Sequence, residues 1–149
     1  MGDQMMNQKG ITLLELIVVM VIIAIGAVLI APNIGAWLPN YRLRGATRDL
    51  VSTMRVAQMK AISNNLIYQI SFIGNNSYIL QYQNTGGAWV NDGAVQTLPT
   101  GVQFNTTFGN IANFFQDSRS TNGNVILNNT KGTTKTIQLL GTTGRIKSG

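Results

Sequence analysis

Two places in this sequence carry residues whose types and spacing suit chemistry. The first is "KGITLLELIVVMVIIAIGAVLIAPN", from Lys9 to Asn33, where one carboxylate, Glu15, precedes sixteen uncharged residues, Leu16 to Ala31. A carboxylate deep in lipid costs on the order of 2.5–3.5 kcal/mol, so a plain anchor has no use for one. A cut between Gly10 and Ile11 supplies a reason. The new amino group on Ile11 lies four residues before Glu15, and the N-terminus of one chain can then neutralise Glu15 of a neighbour in a packed helical bundle. Buried charges are tolerated when paired in this way. The second place is Gly144-Arg145-Ile146-Lys147. On a strand, Arg145 and Lys147 point to one side and Ile146 to the other. One reading is an ordinary edge strand whose outward cations deter edge pairing. The other is a phosphate-binding pair, in which Lys147 neutralises charge without the bidentate fork of Arg. Arg119, Lys131 and Lys135 would extend that patch if the hairpins bring them together.

Other chemistry is poorly provided for. The chain has 149 residues with no Cys and no His. Disulfides and thiolate chemistry are therefore excluded, and so are the commonest general base and metal ligand. Beyond Glu15, the acids after Gly10 are Asp49, Asp92 and Asp117, far apart and in no partner motif. We expect no enzyme and no cofactor or metal. The net charge is +6, yet only 11% of residues are charged, against roughly 25% in typical soluble domains. The chain is basic because acids are scarce, which weakens the usual inference from high pI to nucleic acid.

The elements that must position these residues follow from pattern. The apolar run Ile11–Ala31 has 21 residues, close to the ~20 that span a bilayer as a helix. Beyond Pro32, the residues Leu43, Ala46 or Thr47, Leu50, Met54, Ala57 and Ala61 recur at steps of three and four, one apolar helical stripe. Arg44, Arg48 and Arg55 share another face. Gly35, Pro39 and Gly45 are expected to interrupt or bend this helix. From about residue 65 the pattern changes to short β-rich runs, beginning with "LIYQISFI" and "SYILQYQ" around "GNN" and ending with "NVILN" and "TKTIQLL". A long helix followed only by short antiparallel strands predicts an α+β fold, with the sheet packed on the Leu43–Ala61 stripe. The expected divisions are 1–10, 11–31, 32–64 and a β-rich globular domain over 65–149.

The N-terminal residues resemble a type IV pilin or type II secretion pseudopilin. The likeness rests on Gly10 before the cut, Thr12 and two Leu before the acid, Glu15 at mature position five, and Pro32 at mature position twenty-two. Ile11 stands where Phe is usual. The resemblance implies a prepilin leader over 1–10, cut by a prepilin peptidase after Gly10, and N-methylation of Ile11. It also implies an apolar helix serving first as inner-membrane anchor and then as filament core among other pilins, with a kink at Pro32. The tail, "FFQDSRSTNGNVILNNTKGTTKTIQLLGTTGRIKSG", is similar to the GspH/FimT group in its aromatic before a Gly-containing turn and its Thr-Gly-Arg-x-basic ending. In that group Gly-Arg-x-Arg tails are associated with DNA capture, which would make Arg145 and Lys147 the DNA-binding residues. The pilin-like reading implies a single-pass bacterial inner-membrane protein with a periplasmic C-terminal domain. Arg42, Arg44 and Arg48 after the apolar run, against Lys9 before it, point the other way under the positive-inside rule. The cleavage motif is the more specific signal.

Overall fold

The computed structural model describes residues 11–149, apart from the side chains at 29–34, 36 and 108; segment 1–10, with Gly10, lies outside the described residues. Helix α1 runs over Leu13–Asn64. The chain divides into two compact units at Trp37 and Leu38.

In the first unit, the large apolar side chains from Ile11 to Val28 are all exposed, from 49% to 77%. A helix that is apolar all round is made to be surrounded by something other than its own chain. Among the described residues no helix is long and apolar enough to cross a membrane. The apolar run itself continues past Val28 into positions whose side chains are not described.

In the second unit the helix buries its stripe. Leu43, Ala46, Thr47, Leu50, Met54, Ala57 and Ala61 are all buried, and Val51 joins them. Ala46, Ala57 and Ala61 share the core with the larger Leu43, Leu50 and Met54. The helix bounds pass through Gly35, Pro39 and Gly45, where the sequence led us to expect a break or bend. For Gly45, burial of the nearby Leu43 and Ala46 outweighs its poor helix propensity. The helix ends on Asn65, in the left-handed region at φ 53°. Its last turn closes when the N–H of Leu66 donates to the carbonyl of Ala61 at 3.3 Å, the Schellman pattern.

Nine strands follow: β1 (Tyr68–Ile73), β2 (Ser77–Gln83), β3 (Trp89–Asn91), β4 (Gln96–Thr97), β5 (Val102–Thr107), β6 (Ile111–Phe114), β7 (Gly123–Asn129), β8 (Thr134–Leu140) and β9 (Arg145–Ser148). They form two antiparallel sheets rather than one. The first has the order β3-β2-β1-β6, with β4 also on β2, and the second the order β5-β7-β8-β9. The helix stripe and both sheets share one core, to which Ile70, Phe72 and Phe114 come from the first sheet and Val125, Leu127, Ile137 and Leu139 from the second. The β1–β2 turn ties the sheets together. Its Asn76 and Asn75 carbonyls accept from the N–H groups of Leu98 and Phe104 at 2.7 Å each. The architecture is α+β, a helix packed on antiparallel sheets.

Candidate functional site

At the start of α1, the Thr12 hydroxyl accepts from the N–H of Glu15 at 3.2 Å. The Thr12 carbonyl accepts from Leu16 N–H at the same distance. Thr12 is thus the N-cap and Glu15 the third helical residue. Thr12-Leu13-Leu14-Glu15 has the capping-box pattern, T-x-x-E, a signal in the sequence that membrane-span reasoning passes over. It adds a local role for Glu15, because a negative charge in the first helical turn is favoured by the helix dipole by about 0.3–1 kcal/mol. The carboxylate itself is exposed, and no cation of this chain pairs with it among the described residues. With Thr12 as cap, a cut after Gly10 would leave Ile11 alone ahead of the helix. The side chain of Pro32 lies outside the described residues.

At the other end of the sequence, β9 is the free edge of the second sheet. Arg145 sits opposite Leu140 and Lys147 opposite Gln138. Both are exposed, while Ile146 turns inward and packs against the core. The entry to the strand is built with care. Gln58 on α1 donates one hydrogen bond to the Ser118 carbonyl, 3.1 Å, and one to the Gly144 carbonyl, 3.2 Å. Gly144 has φ +61°, and a Cβ there would run into the Ser118 carbonyl and the Gln58 amide. The glycine before Arg145 is therefore required by backbone conformation and by close approach. Gly144→Ala is expected to cost about 2–4 kcal/mol, from backbone strain and overpacking together. Chemical denaturation of the domain would check this.

The other basic residues do not extend the Arg145–Lys147 pair. Arg119 is held by Asp117 at 2.6 Å, which keeps the Asp117 carboxyl below its usual range. Lys131 belongs to the β7–β8 turn, where its N–H donates to the Asn129 side chain at 3.0 Å. Lys135 shares the side of β8 that carries Ile137 and Leu139, opposite to the side facing outward with Arg145 and Lys147. Of the aromatic residues near the tail, Phe114 is wholly buried in the core. Phe115 is half-buried beside a cavity of about 410 Å³ that Arg119 and Leu140 also line. Trp89, 40% exposed, lies on β3 in the other sheet. Among the described residues no three His, Cys, Asp or Glu side chains gather as a metal site would require.

Comparison with known proteins bears on both ends. Residues 5–31 match the prokaryotic N-terminal methylation motif. No curated protein matches the chain. Among solved structures, the chain is similar to the minor pseudopilin EpsH from the Type 2 Secretion System of Vibrio cholerae, with a TM-score of 0.62 and 7% identity over 72% of this chain and 96% of that one. At that identity the likeness is one of fold, and the fold is pseudopilin-like. With the methylation motif ahead of it, the chain combines that motif with a pseudopilin-like fold.

Proposed function

We propose that the chain is a minor pilin-like structural subunit of a type II secretion pseudopilus. In this reading a prepilin peptidase cuts after Gly10 and Ile11 is N-methylated. The run Ile11–Ala31 holds the precursor in the inner membrane and then forms filament core with other pilins, the domain after it lying in the periplasm. The observation that carries the reading is the stretch from Ile11 to Val28, helical from Leu13, whose large apolar side chains are all exposed and which matches the methylation motif. Lipid before assembly, and neighbouring helices after it, are the surroundings such a helix suits. The fold shared with a secretion pseudopilin supports the choice of system.

One observation favours a second reading, a minor type IV pilin of the FimT type that binds DNA for uptake. Arg145 and Lys147 are exposed on one side of a free strand edge, with no acidic partner among the described residues. Each phosphate neutralised would add about 0.9 to the slope of log K against log salt, so DNA binding that loses close to two slope units in the Arg145→Ala/Lys147→Ala variant would select this reading.

The main reading is tested by intact-mass spectrometry of protein from native membranes, wild type beside Gly10→Val. The expected species starts at Ile11 with one added methyl and is missing in the variant. A wild-type chain still carrying its leader would overturn the proposal.

A further inference from the structure

Three cations converge on one concavity of the domain. Arg44 and Arg48 lie one helical turn apart on α1, both exposed, and Lys135 reaches the same place from β8. With Thr47, Ser148 and Gly149 they line a cavity of about 280 Å³. The convergence follows from strand parity. Lys135 is on the side of β8 that carries Ile137 and Leu139, beyond the end of that buried row, so it meets the flank of the helix.

No Asp or Glu side chain pairs with these cations among the described residues. Of the three acids in the domain, Asp92 is paired with Lys60 at 2.7 Å and Asp117 with Arg119 at 2.6 Å. Asp49 adjoins Arg48 in sequence but lines a different cavity, beside Tyr78. Arg44, Arg48 and Lys135 form no ion pair with any Asp or Glu there. Like charges at i and i+4 on a helix repel, and a third cation in the same hollow adds to the repulsion. In a chain with only 11% charged residues such a gathering stands out. An anion in the cavity would relieve it.

We propose that this cavity is an oxyanion site for a phosphate monoester-type group, either free phosphate or the headgroup of phosphatidic acid. Two guanidinium forks and an ammonium match the charge and the several acceptor oxygens of a phosphate dianion, whereas a single carboxylate would leave two cations uncompensated. The Thr47 hydroxyl proton is already committed to the Leu43 carbonyl at 2.7 Å. Ser148 is therefore the neutral side chain placed to donate. The site belongs to the domain alone and stands whether or not the chain assembles into a filament.

The test is calorimetric titration of the full chain in non-ionic micelles with inorganic phosphate, against chloride at equal ionic strength. Saturable binding is expected, weakened at least tenfold in Arg48→Gln and in Lys135→Gln and unchanged in Lys147→Gln. The two weakening variants sit on different elements, and each is first checked for wild-type melting, so a folding defect in one leaves the other decisive. A second arm repeats the titration in nanodiscs of phosphatidylcholine with and without phosphatidic acid. Lower apparent phosphate affinity with phosphatidic acid assigns the site to the lipid headgroup, and unchanged affinity assigns it to free phosphate. Absence of saturable binding, or equal affinity in wild type and both well-folded variants, overturns the proposal.

Discussion

Glu15→Gln, introduced into the full precursor, is expected to be cut and methylated normally and yet to be missing from filaments. The choice of Gln matters because the proposed assembly gives Glu15 a second role beside its place at the helix start. Its backbone N–H is held by the Thr12 hydroxyl in the pattern of a capping box, and such boxes accept Gln as well as Glu at this position. Gln therefore keeps the helix start and removes only the charge. In a packed bundle that leaves the Ile11 ammonium of a neighbour without its counter-ion, and breaking a buried pair from one side costs about 3–5 kcal/mol. At 1.4 kcal/mol per factor of ten, each subunit contact weakens by roughly two to three and a half powers of ten. A filament built from repeated contacts does not absorb that. The measurement is sheared-filament content against membrane content by immunoblot, with Thr12→Ala as companion. Thr12→Ala costs only a cap, about 1 kcal/mol, and should reduce incorporation modestly. Wild-type filament content for Glu15→Gln would show that Glu15 acts through the helix start alone and would remove charge pairing from the proposed assembly.

Much of the fold is legible in the sequence because its signals are local. The stripe from Leu43 to Ala61 is a period, and every residue in it is buried. The first hairpin is two alternating runs around Gly74-Asn75-Asn76, and it forms there in register from Tyr68↔Tyr82 to Ile73↔Ser77. What the sequence does not show is which strands become neighbours. "IANFFQ" follows "VQFNTTF" closely, but β6 joins β1 while β5 joins β7, so one expected sheet becomes two. That partition depends on long-range burial, to which no local period refers. The sites divide in the same way. Arg145 and Lys147 share an exposed side because strand alternation is local. Arg44 and Arg48 share a helix face for the same kind of reason. The approach of Lys135 to the arginines, and of Gly144 to Ser118 and Gln58, joins residues far apart in sequence and needs the packed domain.

Phe114 shows how much rests on one such long-range contact, and Phe114→Ala is expected to be the most destabilising simple truncation near the tail. Sequence alone leaves Phe114 and Phe115 equivalent, each a core residue or a stacking platform. The fold separates them. Phe114 is fully buried, opposite Tyr68 on β1, and it bridges to Ser120 across the loop that leads into β7. Phe115 follows on the half-buried side. Removing the Phe114 ring loses its transfer free energy and leaves a cavity between rigid strands, a cost of about 3–5 kcal/mol. Against the roughly 5–15 kcal/mol that holds a domain folded, this is a large fraction. The midpoint of thermal unfolding should fall by roughly 10–30 °C. The same loop carries the Ser118 carbonyl that Gln58 holds beside Gly144, so loosening it should also increase amide exchange along β9. Phe115→Ala, which opens no enclosed cavity, should cost about 1 kcal/mol. Unfolding followed by circular dichroism on the two variants in the same micelles decides the matter. Equal losses would mean that β6 does not direct Phe114 into the core, and the path from this strand to the basic edge would have to be redrawn.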